Sequence, residues 1–529
     1  MGTRPSNTRA VRQRRRTERW TPLWFDSWWC RQPQSLRDRS RWPDREEHDA
    51  LQRARPDVVR AARGRREEDA PDELTPLVLD RAPDAVLNDR TAVPARGRAL
   101  LVELYDAAVA GAAPGPITTN ALRDIDARPE QRLWLFAFGK AAHPMAAAAV
   151  SSLQRTRHTI VGGVVVAPET LPTPAATITT LAGDHPIPGP RSLAAAQRIG
   201  ELAAGMRSDD VALVLISGGA TSLIGAPLRG LQEADLVRLY GLLLGSGLDI
   251  REMNAVRKRF ARWGAGRLAV ALAPARTHAL LISDVESDEP ADIASGPCTP
   301  DPNTVHEVIA ILQRTGLYSR IAASMREYLT AVAHGAIPET PRATHPAFAH
   351  VSTRIIGSNR LSTEAAARRA EELSIPVVNE GSVLTGDAAR CGATLASALL
   401  DRARESWRGC VIWGGETTVQ LGTVTSGTPL GGRCQELALA AARVLAGGGD
   451  AARGITLLAA GTDGRDGPTD AAGAFADATV WEAIRASGRS PEHSLARHDS
   501  YVVLDAVGAL HRRGHTGTNV RDVVIAVLE

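Results

Sequence analysis

Short apolar runs that end in glycine-rich or acidic turns and lead into alanine-rich helices predict an α/β protein. The runs are continuous rather than alternating, as expected of parallel strands buried on both faces. Forty-seven glycines in 529 residues supply the tight strand-to-helix turns that such a protein needs. Hydrophobic residues make up 44% and aromatics only 4%, so the cores are built from Ala, Val and Leu. At about 150 residues per domain, the length suits two or three domains.

The elements follow in order. Residues 1–95 are rich in Arg, Asp, Glu, Pro and Trp and show little periodicity. Five of the ten tryptophans precede Pro43. Such a composition buries too little apolar surface to offset chain entropy, so a disordered extension is expected there. The stretch from Ala99 to Ala110 has the spacing of an amphipathic helix, and ordered sequence is expected from about Arg96. Leu133–Phe138 reads as a strand, Gly139 as its turn, and the Ala-rich stretch after Lys140 as a helix. Val211–Ile216 leads into Ser217-Gly218-Gly219. Ala279–Ile282 leads into a loop with Asp284 and Asp288. Thr353–Ile356 leads into Gly357-Ser358-Asn359 and a helix. Cys410–Trp413 leads into Gly414-Gly415-Glu416, and Ile455–Ala460 into Gly461–Gly467. In open α/β sheets, ligands bind beyond the carboxyl ends of the strands, and these six ends carry small or polar residues.

The charge pattern is uneven. The first seventy residues hold 18 Arg and 11 acidic residues, a balance of +7, while the whole chain is only +3. The body is therefore mildly acidic. Nucleic acid is not an expected partner, although Arg14–Arg16 beside Trp20 and Trp24 suits phosphates and bases. Lys140 and Lys258 are the only lysines among 62 basic residues. Arginine is a wide planar fork, and lysine a compact point charge that fits among phosphate oxygens. A lysine surviving that bias at a strand end marks Lys140 as a candidate phosphate contact. Five cysteines without a CxxC pair argue against a disulfide framework or a zinc site. No apolar run reaches the roughly 18 residues of a membrane span. A cytoplasmic protein is expected.

The turns suit phosphate chemistry. Ser217-Gly218-Gly219 presents backbone N–H groups where an anion is favoured. Asp284 and Asp288 on one loop, and Asp463 and Asp466 on another, suit a hard cation or a proton acceptor, but equally suit helix caps and turns. Arg433 in Gly431-Gly432-Arg433-Cys434-Gln435-Glu436 offers a fork for carboxylate or phosphate. His185, in Gly183-Asp184-His185-Pro186, suits either a base or a capping role.

Nine blocks in this order resemble the glycerate 2-kinase family, whose C-terminal module is named for its MOFRL-like sequence and whose members were long labelled hydroxypyruvate reductases. They are Phe138-Gly-Lys-Ala-Ala, Gly183-Asp-His-Pro, Ser217-Gly-Gly-Ala-Thr-Ser, Asn254-Ala-Val-Arg-Lys, Ser283-Asp-Val with Ala294-Ser-Gly-Pro, Gly414-Gly-Glu-Thr-Thr, Gly432-Arg-Cys-Gln-Glu, Gly461-Thr-Asp-Gly-Arg-Asp-Gly and Thr516-Gly-Thr-Asn-Val. The resemblance spans residues 96–529. It implies a Rossmann-like N-terminal domain over 96–345 and a smaller α/β region over 346–529, with the MOFRL module at about 408–525 and a cleft between the two. It implies transfer of the γ-phosphoryl group of ATP to the 2-hydroxyl of D-glycerate with Mg2+ or another divalent cation. A homodimer is compatible with it.

Carried over by motif, Lys140, Asp284 and Arg433 are the expected catalytic residues. Gly139, Ser217, Gly218, Gly219, Asn254, Arg257, Lys258, Glu416, Gly432, Glu436, Asp463, Asp466 and Asn519 are expected to bind ATP or substrate. Asp284 and Asp288 are the expected metal ligands. The chain departs from the family pattern at Ala261 and Gly264, where Ser and Lys are common, at Ser287 in place of glycine, and at Cys434 in place of asparagine. Two other readings stay open: a hydroxypyruvate reductase, against which stands the lack of a GxGxxG after a strand, and a catalytically weak binding homologue, which Ala261 and Gly264 suggest.

Overall fold

The structure, a computed structural model, describes residues 95–421 and 429–529. The extension expected over 1–95 lies outside the described residues except for Ala95, where a helix begins.

The first sheet consists of β1 (Arg132–Phe138), β2 (Thr159–Ala167), β3 (Ile178–Ala182), β4 (Val211–Ile216), β5 (Arg276–Ile282) and β6 (Val351–Gly357). Its order is β3-β2-β1-β4-β5-β6, and every pair is parallel. The continuous apolar runs have their cause in this layer. Alternate residues along a strand point to opposite faces, and here both faces are covered. Phe136, Phe138, Val214, Ile216 and Leu281 pack in one core, and Leu133, Leu135, Ala137, Leu213, Leu215 and Leu280 in the other. Each such Leu or Phe stabilises the fold by about 1.5–3 kcal/mol. Helices Ala142–Arg155 and Pro190–Ala203 supply small alanines to these two faces. Four helices (Glu233–Leu244, Ile250–Phe260, Val305–Arg314 and Ala323–Ala333) enclose a separate apolar cluster around Tyr240, Phe260 and Leu312.

The second sheet consists of β7 (Val377–Leu384), β8 (Gly409–Gly415), β9 (Ile455–Gly461), β10 (Gly473–Asp477), β11 (Leu510–His511) and β12 (Asp522–Leu528). Its order is β11-β10-β9-β12-β8-β7. The reading of Cys410–Trp413 and Ile455–Ala460 as strands of a parallel array needs correction. β8 and β9 run in one direction but are separated by β12, antiparallel to both. A buried apolar run carries no mark of its neighbour's direction, so the return of the last strand into the sheet centre left no local trace. As a result Asp522, the first residue of β12, lies opposite both Gly415 and Gly461, the last residues of β8 and β9.

Two segments cross the expected boundary at 345/346. β6 pairs with β5 and so completes the first sheet. Helix Ala95–Gly111 packs on the second: Leu101, Leu104 and Ala108 join Ile412, Leu458, Val523 and Ile525, and the Tyr105 hydroxyl donates to Gly461 O at 2.8 Å. Among the described residues, no helix is long and apolar enough to cross a membrane.

Candidate active site

The strand order of the first sheet reverses between β1 and β4, the place where open α/β sheets bind ligands beyond their strand ends. Gly139 and Lys140 follow β1 there, and Ser217–Gly219 follow β4. Gly139 has φ 121°, and a side chain on it would collide with Ser217. The Ser217 hydroxyl accepts the Ala141 N–H at 3.0 Å and reaches Phe138 O at 3.4 Å. It is engaged in locking the two strand ends together. The Lys140 N–H donates to Gly218 O at 3.0 Å, while its side chain is exposed.

Three side chains converge on this turn. The Asp284 carboxylate, from the end of β5, lies where a Cβ on Gly218 would be. Gly219 has φ 84°, and a Cβ on it would stand 3.2 Å from His185 Cδ2 and 3.5 Å from Lys140 Cγ. Burial pushes the Asp284 carboxyl up, against the pull of its own N–H, Lys140 and Arg521. Burial and the Lys140 charge push His185 down, towards the neutral imidazole.

The ends of β8 and β12 carry a second charged group. Arg433 opens helix Arg433–Ala446. Its Nε and Nη2 donate to Asp522 at 2.5 and 2.9 Å, and its Nη1 stands 2.9 Å from Glu416 Oε1. Burial raises Glu416, opposed by Arg433 and Arg521. Asp466, in contrast, is a helix cap: it accepts the N–H groups of Cys434 and Gln435 at 3.1 and 2.8 Å. Burial, aided by the Asp522 charge, pushes it up to about 7. A Cβ on Gly432 would collide with it, so Gly432 serves this cap. Asp463 turns its carboxylate onto the Arg465 N–H at 2.9 Å, and Asn519 accepts the Arg521 N–H at 3.2 Å. Arg521 itself was not singled out from the sequence, yet its charge acts on both Asp284 and Glu416.

Other expected residues are engaged elsewhere. Lys258 is buried; its Nζ donates to Ala291 O at 3.2 Å and lies 3.6 Å from Asp301 and 3.8 Å from Asp292. It ties helix Ile250–Phe260 to the loop after β5. Asn254 reaches Asp292 O at 3.5 Å, and the Arg257 guanidinium lies over the Tyr240 ring at 5.0 Å. Glu436 pairs with His498 at 2.9 Å. Asp288 adopts φ 48°, and its Oδ1 is buried with no partner among the described residues. At Gly264 a Cβ would stand 3.3 Å from Ser295 O, which leaves little room for a larger residue. The nearby cation is Arg267, whose guanidinium donates to Lys258 O, Arg259 O, Ala261 O and Gly264 O at 2.8–3.3 Å.

Comparison with known proteins agrees with this architecture. The chain matches the model of a domain of unknown function, DUF4147, over residues 100–330, and that of the MOFRL family over residues 409–522. A relative from Agrobacterium vitis, carried under the provisional name hydroxypyruvate reductase, is 36% identical over 80% of this chain and 93% of its own length. A D-glycerate 2-kinase from Thermotoga maritima is 35% identical over 75% of this chain and 91% of its own. A crystal structure of a glycerate kinase (EC 2.7.1.31) from the same organism superimposes with a TM-score of 0.73 at 32% identity, covering 82% of this chain and 99% of that one.

The two lysines should respond differently to substitution. Lys258→Met would remove the cation beside Asp292 and one of the two beside Asp301, where Arg259 Nη2 remains at 3.6 Å, a loss of about 1–3 kcal/mol. The expected result is a clear fall in the thermal midpoint. A midpoint equal to wild type would remove Lys258 from the structural role described here.

Proposed function

This chain belongs to the glycerate kinase family with a C-terminal MOFRL module, and from that premise we propose that it phosphorylates D-glycerate at the 2-hydroxyl, using ATP. It is a phosphotransferase with an alcohol group as acceptor. The observation that carries the reading is the convergence of Lys140, His185 and Asp284 on the Gly218–Gly219 turn, at the reversal of strand order. Phosphoryl transfer asks the protein chiefly for positioning and charge neutralisation, and this turn offers both. Lys140 supplies a compact charge beside backbone that carries no side-chain bulk. The start of helix Ala142–Arg155 adds the positive end of its dipole.

Asp284 is the candidate acceptor of the hydroxyl proton. Burial raises its carboxyl, and a base poised nearer neutral pH is the more effective one. Arg433 assists from the second lobe, but Asp522 and Glu416 already hold its fork, so an incoming anion competes with them for it. Among the described residues no group of three or more His, Cys, Asp or Glu stands together to bind a metal. A Mg2+-type ion needs only one or two carboxylates beside phosphate oxygens, and the unpartnered Asp288 Oδ1 fits such a site. Asp284 and Asp288 would hold it, and it would neutralise phosphate charge. The reductase reading is less well supported: β1 is followed by Gly139-Lys140-Ala141, without the glycine fingerprint of a dinucleotide site.

The direct test is ATP-dependent phosphorylation of D- and L-glycerate and related hydroxy acids, with product position read by phosphorus NMR. Oxidation of NADH or NADPH by hydroxypyruvate, without any phosphorylated product, would overturn the reading. Asp284→Asn is expected to lower turnover by about 10²-fold or more. The wild-type rate should fall with acid as Asp284 protonates, and the variant should lose that limb. Lys140→Arg should be nearly as damaging as Lys140→Ala, by about 10²–10³-fold, because the wider guanidinium cannot take the same point beside the phosphate. Retention of most activity by Lys140→Arg would exclude that role.

A further inference from the structure

Three cations among the described residues, Lys258, Arg259 and Arg267, are held by several partners each. Arg259 donates to Asn303 O at 2.8 Å and Thr340 Oγ1 at 3.1 Å and pairs with Glu339. Arg267 is spread over four carbonyls, and Lys258 lies among Ala291 O, Asp292 and Asp301. Arg521 differs. It is only 4% exposed, yet its Nε and Nη2 are buried with no hydrogen-bond partner among the described residues. Leaving a charged donor buried and unpaired is costly, so a conformation that does so needs another cause.

The backbone around Arg521 is firmly fixed. Arg521 has φ 71°, a region a side-chain-bearing residue rarely adopts. Its carbonyl accepts both the N–H and the hydroxyl of Thr462, at 2.9 and 2.6 Å, and its own N–H goes to Asn519 Oδ1 at 3.2 Å. Asp522 follows at once and is fastened to Arg433. Arg521 therefore stands at the start of β12, beside the ends of β8 and β9, and its charge is felt by Asp284 of the first lobe and Glu416 of the second.

We propose that Arg521 is a specificity-determining residue that binds the carboxylate of the hydroxy-acid acceptor through its two unpartnered guanidinium nitrogens. The assignment rests on the reading of the chain as a glycerate kinase. In an α-hydroxy acid the carboxylate is bonded to the carbon that carries the hydroxyl. The cation that reads the carboxylate must therefore stand near the group that takes the hydroxyl proton, and Arg521 and Asp284 meet that condition. Lys140 and the glycine turn, which Asp284 also touches, are left to serve the phosphoryl group. A planar fork suits a carboxylate, which it can hold with two parallel bonds.

The test uses Arg521→Met and Arg521→Lys in the full chain. KM for D-glycerate should rise by about 10-fold or more in both, while kcat and KM for ATP stay within about two-fold, the pattern of a lost binding contact. Arg521→Met should melt at or above the wild-type temperature, because an unpaired buried charge is replaced by an apolar chain of similar length. D-Glycerate alone should raise the wild-type melting temperature and should not raise that of the variants. An unchanged KM for D-glycerate would overturn the proposal. So would a rise in KM for ATP instead, which would assign Arg521 to nucleotide phosphate. A lower melting temperature with both KM values unchanged would make it a structural residue. If the wild type does not phosphorylate glycerate, the kinase reading fails. The carboxylate assignment then survives only if D-glycerate still stabilises the wild type and not the variants, and it falls if neither is stabilised.

Discussion

At several strand and helix ends a polar side chain occupies the space of a missing Cβ. Asp284 sits on Gly218, Asp466 on Gly432, and Asn359 on Gly414. Each contact needs glycine, and each brings a group from one element onto the backbone of another. Asn359 Nδ2 donates to Val520 O and Asp522 O, both at 2.8 Å, so it fastens the helix that follows β6 to the start of β12. Through these approaches the end of the parallel sheet and the end of the mixed sheet share one polar region. Glycine costs conformational entropy in the unfolded chain, and the cost is borne where a functional group must lie against main chain.

Charge pairing divides the cations by role. Lys258, Arg259 and Arg267 are paired within the protein and hold helix Ile250–Phe260 to its surroundings. Their acidic partners are Asp292, Asp301 and Glu339. Lys140 and Arg521 have charges that act on Asp284 without closing on it as an ion pair. Both lysines escaped the arginine bias of the chain, but for different reasons. The Lys258 ammonium fits a buried position between two carboxylates and a carbonyl, where a guanidinium would need more room. Lys140 keeps an exposed side chain at the mouth of the switch point.

Local features were legible in the sequence because they are written in consecutive residues. The strands β1, β4, β5, β8 and β9, the glycine turns that follow them, and the Ser358-Asn359 helix start could all be read directly. Contacts that join distant residues could not. Nothing near Asp522 announced that β12 would insert between β8 and β9, and nothing near Ala95 announced a helix that packs on the far sheet. Asp466 looked like a ligand because a capping carboxylate and a binding carboxylate share the same turn chemistry. Arg521 was hidden for the opposite reason. In a chain so rich in arginine, one more carries no signal until its burial and its lack of partners are seen.

The polar region between the sheet ends contains more carboxylates than cations, with Asp284, Glu416, Asp466 and Asp522 facing Lys140, Arg433 and Arg521. A general positive field therefore cannot be what attracts two anionic substrates. Binding must depend on individual donors that the protein has not already spent. Arg433 is already shared between Asp522 and Glu416, so an anion reaches it only in competition with them, and Asp466 caps two backbone N–H groups. Burial also raises Asp284, Glu416 and Asp466, which lessens the negative charge the site presents. The protein donors open to a ligand without such competition include the Lys140 ammonium, the glycine backbone of the β4 turn and the unpartnered nitrogens of Arg521. The first two meet Asp284 at one turn and the Arg521 charge acts on the same carboxylate, the proximity that the proposed binding of a phosphoryl group and an acceptor carboxylate requires.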